Sequence, residues 1–195
     1  MKKLILFLIV FIFAYMIFLI TCMCKPCGSS RWSVKTLTDN KIIKIDLIPD
    51  TMFFKDLYRF DKPVKTFYNT IRMNDEYKFV IVKGILRAWI KETDNDLHVV
   101  LLSAFSPDST IICEIPSPSS CSEVALSPFA CDFNNASKFV TSLKSSKEGR
   151  WNFLSGKDTV YVSGFLFHDF PHNVGMGHMP NFLELHPVIK IERVD

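Results

Sequence analysis

Charge of one sign is scarce in this chain. Lys and Arg number 23 against 20 Asp and Glu, for a formal net charge of +3 over 195 residues. Lys2 and Lys3 supply two of those positives, so the remainder carries only +1. A chain that lives on nucleic-acid phosphates shows a much stronger basic excess, so the composition gives no strong nucleic-acid signal beyond a local patch. No internal repeat of solenoid length occurs and no long low-complexity run, which sets aside repeat arrays. The six cysteines lack a paired Cys-x-x-Cys/His-x-x-His arrangement, so a structural zinc site is not favoured. No small-x-small cleavage site follows the N-terminal apolar run, which exits through Leu19-Ile20-Thr21-Cys22-Met23-Cys24.

Apolar residues are abundant, at 48%, with 18 Phe. After Met1-Lys2-Lys3, residues 4–23 carry no charge. Twenty such residues make a helix long enough to cross the hydrocarbon layer. The run exceeds the ~7–15 residues of a signal peptide's middle region. An uncleaved anchor is expected first, then a lipoprotein signal with Cys22 lipidated (Thr21 is a poor match before that Cys), then a cleaved signal. All three place the rest at or beyond a membrane, with Lys2 and Lys3 on the cytoplasmic side. Residues 24–40 form a tether, and residues 41–195 form one domain of ordinary size.

Cys24-Lys25-Pro26-Cys27 has redox-motif spacing, but it follows a membrane segment where the strand-to-helix setting that activates such thiols is missing. Exposed tether cysteines are the expectation. Cys121 and Cys131 bracket a nine-residue loop and form a candidate disulfide in an oxidising compartment. Cys113 sits in an apolar run and is expected as a buried free thiol.

The domain reads mainly as β. Ile42–Leu47 alternates as a short strand. Asp50 or Thr51 is placed to cap a short helix through Leu57. Tyr77–Lys91 predicts a long strand with a bulge or bend at Gly84. Thr93–Asp96 is a turn cluster, Leu97–Ala104 the returning strand, Ser106–Ser109 a second turn, and Thr110–Ile115 a third strand. After a loop from Pro116 to Pro128, Asp132 or Asn134 caps a helix through Phe139, Val140 and Leu143. Asp158–Asp169, with Gly164 in its middle, and Leu183–Arg193, around Pro187, complete the set. The expected fold is a five-stranded OB-like barrel, β-β-β-α-β-β, with one or two short helices after the N-terminal transmembrane helix. The mid-strand glycines carry this expectation, because closure needs bends that no Cβ obstructs. A β-sandwich or a lipocalin-like cup is the alternative, and each needs further strands from residues 31–60.

The run Gly164-Phe165-Leu166-Phe167-His168-Asp169-Phe170-Pro171-His172, followed by Pro180-Asn181-Phe182-Leu183-Glu184-Leu185-His186-Pro187-Val188, resembles a group of bacterial, mostly exported proteins. Their pattern is Gly-x-x-Phe-x-Asp-x-x-His … Ala-Pro-Asn-x-x-Glu-Leu-His-Pro-Val. The likeness extends to Trp32-x-Val34-Lys35-Thr36 and Asp94-x-Asp96-x-His98. This chain departs at Met179, where a small Ala is usual, and at His168, where an apolar aromatic is usual. The resemblance implies a common fold and site, and no particular reaction.

Four of the five histidines lie between Lys157 and Arg193. Asp94, Asp96 and His98 sit at the first hairpin turn, Asp169 and His172 at the end of the fourth strand, Glu184 and His186 at the start of the fifth. In a barrel of this order these groups converge at one rim. Imidazole and carboxylate suit a divalent metal such as Zn or Mn, or general acid/base work. His98, Glu184 and His186 are the leading metal candidates, since Glu184 and His186 share a strand face by period two. His98, Asp169, His172, Glu184 and His186 are the catalytic candidates. Against this stands a structural reading, in which the same groups and Asn181 lock a long loop. His168, His172 and His178 are expected in solvent. The acidic turn Glu92–Asp96 looks slightly like that of thermonuclease-type OB domains, with Arg87 as a phosphate ligand, although the basic surface and the downstream Arg/Glu pattern are absent. Two functions follow as expectations: a membrane-tethered, extracytoplasmic binding or envelope-associated module, or a metal-dependent hydrolase of phosphodiesterase type.

Overall fold

A computed structural model describes residues 31–42, 45–62, 72–93, 96–106, 108–118, 122–145, 149–170 and 176–194. The expected anchor, the lipidation candidate Cys22 and the Cys24/Cys27 pair lie outside the described residues. Among the described residues, no helix is long and apolar enough to cross a membrane.

The chain forms a mainly β structure with a closed five-stranded barrel. Its strands are β2 (Phe79–Lys91), β3 (Leu97–Leu102), β4 (Thr110–Ile115), β6 (Thr159–His168) and β7 (Leu183–Arg193); the short β1 (Asp50–Met52) and β5 (Asn152–Phe153) both add to β2. The order round the barrel is β2-β3-β4-β7-β6, and β6 pairs back onto β2. All these barrel pairings are antiparallel except β4 with β7, which is parallel. The long strand β2 makes closure possible. Its first half, from Phe79 to Ile85, pairs with β6, and its second, from Ile85 to Lys91, pairs with β3.

Gly84 and Gly164 sit where the strands press closest. A Cβ on Gly84 would stand 2.6 Å from Leu101 Cγ, and one on Gly164 would stand 2.9 Å from the Pro187 carbonyl oxygen. The register slips between Leu86 and Ala88 on β2 and on both sides of Gly164. These slips are bulges of the kind that let a sheet curl. On β2 the slip also changes the inward alternation, which runs Val80, Val82, Leu86 and then Trp89.

The barrel interior is apolar: Leu97, Val99 and Leu101 from β3, Ile111, Cys113 and Ile115 from β4, Leu183 and Leu185 from β7. Helix α4 (Ala130–Leu143) joins this core through Phe133, Ala136 and Val140. It starts before the expected caps. Phe129 holds the N-cap position and Asp132 lies in the first turn, where its charge suits the helix dipole. A one-turn helix, α3 (Ser122–Ala125), precedes it.

Residues 31–40 are not a tether. Helix α1 (Trp32–Lys35) and Leu37 bring Trp32, Val34 and Leu37 into buried positions, and Arg31 forks onto both oxygens of Glu76 in a buried ion pair. Of the expected strand Ile42–Leu47, the described residues, Ile42 and 45–47, lie outside any strand. The Ile45 N–H donates to the Ile42 carbonyl at 3.1 Å, closing a turn, and both side chains pack on the core. Asp50 and Thr51 form β1 instead, parallel to Val80–Val82. The short helix α2 (Phe54–Leu57) therefore starts later, with the Phe53 N–H donating to Asp56 at 3.2 Å.

Candidate functional site

Because side chains alternate along a strand, an apolar inward row leaves an outward row of another character. On β3, β4 and β7 that outward row is His98, Glu114, Glu184 and His186, all buried. His98 and Glu114 are direct cross-strand partners. The parallel pairing of Cys113 with Leu185 brings Glu114 beside the Glu184 and His186 pair. Other groups cover this face. The backbone at Gly177 lies so close to Val100 and Ile112 that a Cβ there would fall 2.8 Å from Val100. Trp151 sets its ring edge-on to His98 at 5.4 Å, and Lys35 and Arg31 lie over the Phe167 ring, which packs against His186.

Glu114 is the hub. Its Oε1 lies 3.4 Å from His98 Nδ1 and its Oε2 lies 2.9 Å from His186 Nδ1. Glu92 approaches the same His98 nitrogen at 3.3 Å, and Asp96 Oδ2 lies 3.6 Å from His186 Nε2. Neither contact of His186 is aligned as a hydrogen bond, and His98 Nε2 and Glu184 Oε2 are likewise buried without a hydrogen-bond partner. Each buried unsatisfied group of this kind costs about 1–3 kcal/mol.

The electrostatics separate the groups. Burial opposes a charge on His98, but the carboxylates of Glu114 and Glu92 overcome it and raise its pKa from 6.5 to about 9. Burial pushes His186 below its usual value against the pull of Glu114. Burial alone would push Glu114 up, but the imidazoles and the Lys35 ammonium hold it well below the carboxylate range. Glu184 goes the other way, raised by burial and by the charges of Glu114 and Asp169. Lys35 resists its own burial because Glu114, Glu184, Asp169 and Asp96 raise its pKa. The two carboxyl groups are thus driven in opposite directions.

The expected trio of His98, Glu184 and His186 does share one buried face. Asp169 is half-buried and contributes to the field on Lys35, Glu184 and His186. His172 and Asp94 lie outside the described residues. Two histidines expected in solvent are not there. His168 is buried with Nε2 3.4 Å from Asp75, and the His178 ring reaches to 3.9 Å from Glu184. Arg87 is exposed, lies over the Phe153 ring, and is no part of the cluster. Asn181 fixes a loop, donating to the carbonyls of Leu57 and Phe60 and accepting from the Leu183 N–H. Cys113 is a buried free thiol, pushed up by burial; Cys131 is an exposed free thiol, and its expected disulfide partner Cys121 lies outside the described residues.

Sequence reasoning missed Glu114; it noticed Glu92 only as part of the acidic turn and Lys35 only within the run Trp32–Thr36. The signal for Glu114 was a lone carboxylate inside the apolar strand Ile111-Ile112-Cys113-Glu114-Ile115.

Among the described residues, two sets of three side chains place ligand atoms within 4.8 Å of one another: Glu92, His98 and Glu114, and Asp96, Glu114 and His186. Imidazole with carboxylate is a donor set for Zn, Mn or Fe. No protein-family model matches the chain, and no curated protein matches it.

Proposed function

We propose that the chain is an OB-like domain, held on the outer side of a membrane by residues 4–23, that binds a divalent cation (Zn or Mn) at the Glu114 cluster and uses it to hydrolyse a phosphodiester-type bond. The observation that carries this reading is the convergence, among the described residues, of two sets of ligand atoms, those of Glu92, His98 and Glu114 and those of Asp96, Glu114 and His186, each set within 4.8 Å of one another. Glu114, held well below the usual carboxylate range, is suited to bind a cation, and Glu184, raised well above it, is suited to give a proton to a leaving group. The cation would polarise the bond and lower the pKa of a bound water. The OB-like reading is supported by the strand order β2-β3-β4-β7-β6 and by helix α4 between β4 and β6. The membrane reading is supported by the charge-free run of residues 4–23.

The test is metal analysis of the full chain in detergent after incubation with Zn(II) or Mn(II), with bis(4-nitrophenyl) phosphate as substrate. Bound metal, reduced in His98→Ala, and turnover reduced about a hundredfold or more in Glu184→Gln are expected. A protein that binds neither ion overturns the reading.

A binding-module role is favoured by a separate feature. A groove of about 810 Å³ is lined by Phe53, Phe54, Tyr58 and Phe105 with Lys55 and Lys83. Its aromatic walls and two ammonium groups fit an aromatic anion. Anilinonaphthalene sulfonate is the probe. Enhanced fluorescence that Phe105→Asp removes supports this role, and no enhancement sinks it.

A further inference from the structure

We infer, resting on the metal reading above, that the cluster holds two divalent cations and that the Glu114 carboxylate bridges them. The two oxygens of Glu114 serve different imidazoles, Oε1 at 3.4 Å from His98 and Oε2 at 2.9 Å from His186. Each imidazole has a second carboxylate nearby: Glu92 lies 3.3 Å from the same Nδ1 of His98, and Asp96 lies 3.6 Å from the other ring nitrogen of His186, Nε2. The result is two donor sets of matching composition, one imidazole, one terminal carboxylate and one oxygen of Glu114, each with one ligand atom per residue within 4.8 Å of the others. Ligands held about 2.1 Å from a tetrahedral ion stand about 3.4 Å apart, and both carboxylates at His98 Nδ1 stand close to that distance. Ions sharing one carboxylate sit about 3.5–4 Å apart, the spacing of two-metal hydrolytic centres.

A second observation also points to a ligand. His186 is 1% exposed, its Nδ1 and Nε2 face Glu114 and Asp96 without hydrogen-bond alignment, and Glu184 Oε2, on the same strand face, is buried without a hydrogen-bond partner.

The two positions differ in access. Glu92 is exposed, so the first set opens to solvent; Asp96, Glu114 and His186 are all buried. The ion at His98 is therefore the exchangeable one, and the ion at His186 is the retained one.

The experiment is Mn(II) loading of the full chain in detergent, read by native mass spectrometry for stoichiometry and by electron paramagnetic resonance for magnetic coupling. Circular dichroism checks the fold of each variant. Two ions per chain with a coupled spectrum are expected. Glu92→Gln, a change at the exposed rim, should leave one ion and an uncoupled spectrum. Asp96→Asn should also leave one, and brief chelation should remove the outer ion first. Saturation at one ion overturns the bridge and leaves the metal reading standing. Two ions that stay coupled in a folded Glu114→Gln variant, or that are uncoupled in the unsubstituted protein, also overturn it. No bound Mn(II) overturns both.

Discussion

Glu114→Gln tests the electrostatics of the cluster in the metal-free protein. The substitution keeps the size of the side chain and removes the charge that His98 and His186 face at 3.4 and 2.9 Å. His98 has a folded pKa of about 9 against 6.5 when unperturbed. A pKa raised in the folded state contributes stability that is fully present below pH 6.5 and is lost as pH rises through about 9. At about 1.4 kcal/mol per unit, that contribution is on the order of 3 kcal/mol. Glu92, the other carboxylate at His98, is exposed and screened by solvent, so Glu114 carries the larger part. Urea unfolding followed by tryptophan fluorescence, in chelator at pH 6, 8 and 10, measures the effect. The parent protein should lose roughly 3 kcal/mol between pH 6 and 10 beyond its other titrations. The variant should start less stable and lose much less over the same interval. Nuclear magnetic resonance should show the His98 imidazole titrating well below pH 9 in the variant. An unchanged His98 titration, or an unchanged pH slope, would refute the assignment of Glu114 as its main partner.

Three further substitutions probe the frame around the cluster. Gly164→Ala puts a Cβ 2.9 Å from the Pro187 carbonyl oxygen and 3.2 Å from Val188 Cα, both backbone atoms, and should destabilise by about 1–3 kcal/mol, read as a lower melting temperature. Glu76→Gln breaks the buried pair with Arg31, whose two side chains are almost wholly buried, and should cost about 3–5 kcal/mol in urea unfolding. Asn181→Ala strips the carbonyls of Leu57 and Phe60 of their shared donor, should cost about 1–3 kcal/mol, and should speed proteolysis between α2 and residue 62 while leaving metal uptake unchanged.

The strands that were easy to read are those dense in β-branched residues. Thr110–Ile115 and Leu183–Arg193 run over the expected spans. β2 starts two residues late because Tyr77 belongs to a 3-10 turn, Asn74–Tyr77. Ile42–Leu47 has a strand's alternation, but Asp50–Met52 takes the β2 edge in its vicinity. The helix Trp32–Lys35 is a single turn, too short for a 3.6-residue period to show, so a segment with a buried Trp looked like a tether. At the site, the pairing of Glu184 with His186 needs only period two and was legible. The role of Glu114 depends on which strands flank β4, and that neighbourhood comes from the parallel contact with β7, which no local pattern encodes.

That topology also explains why a polar cluster survives inside a small barrel domain. Burying ionisable groups is unfavourable unless they are paired, and a barrel lumen of this size is filled by apolar side chains. Here the lumen is filled by the inward rows of β3, β4 and β7, and the ionisable groups occupy the opposite face of the same strands. They are covered by Lys35 from one end of the chain and by Gly177 to Met179 from the other. Their hydrogen bonds need not be made inside the lumen, and their cover comes from α1 and a connecting segment that are not barrel strands. Cluster and core can then change independently. Substitutions at Glu92, an exposed rim residue, should alter metal uptake with little loss of barrel stability. Substitutions at Val99 or Cys113, one position away on the inner face, should do the reverse. Melting temperature and Mn(II) stoichiometry measured across Glu92→Gln, Val99→Ala and Cys113→Ala would separate the two faces; a Val99→Ala variant that loses metal before it loses stability would show that the faces are coupled.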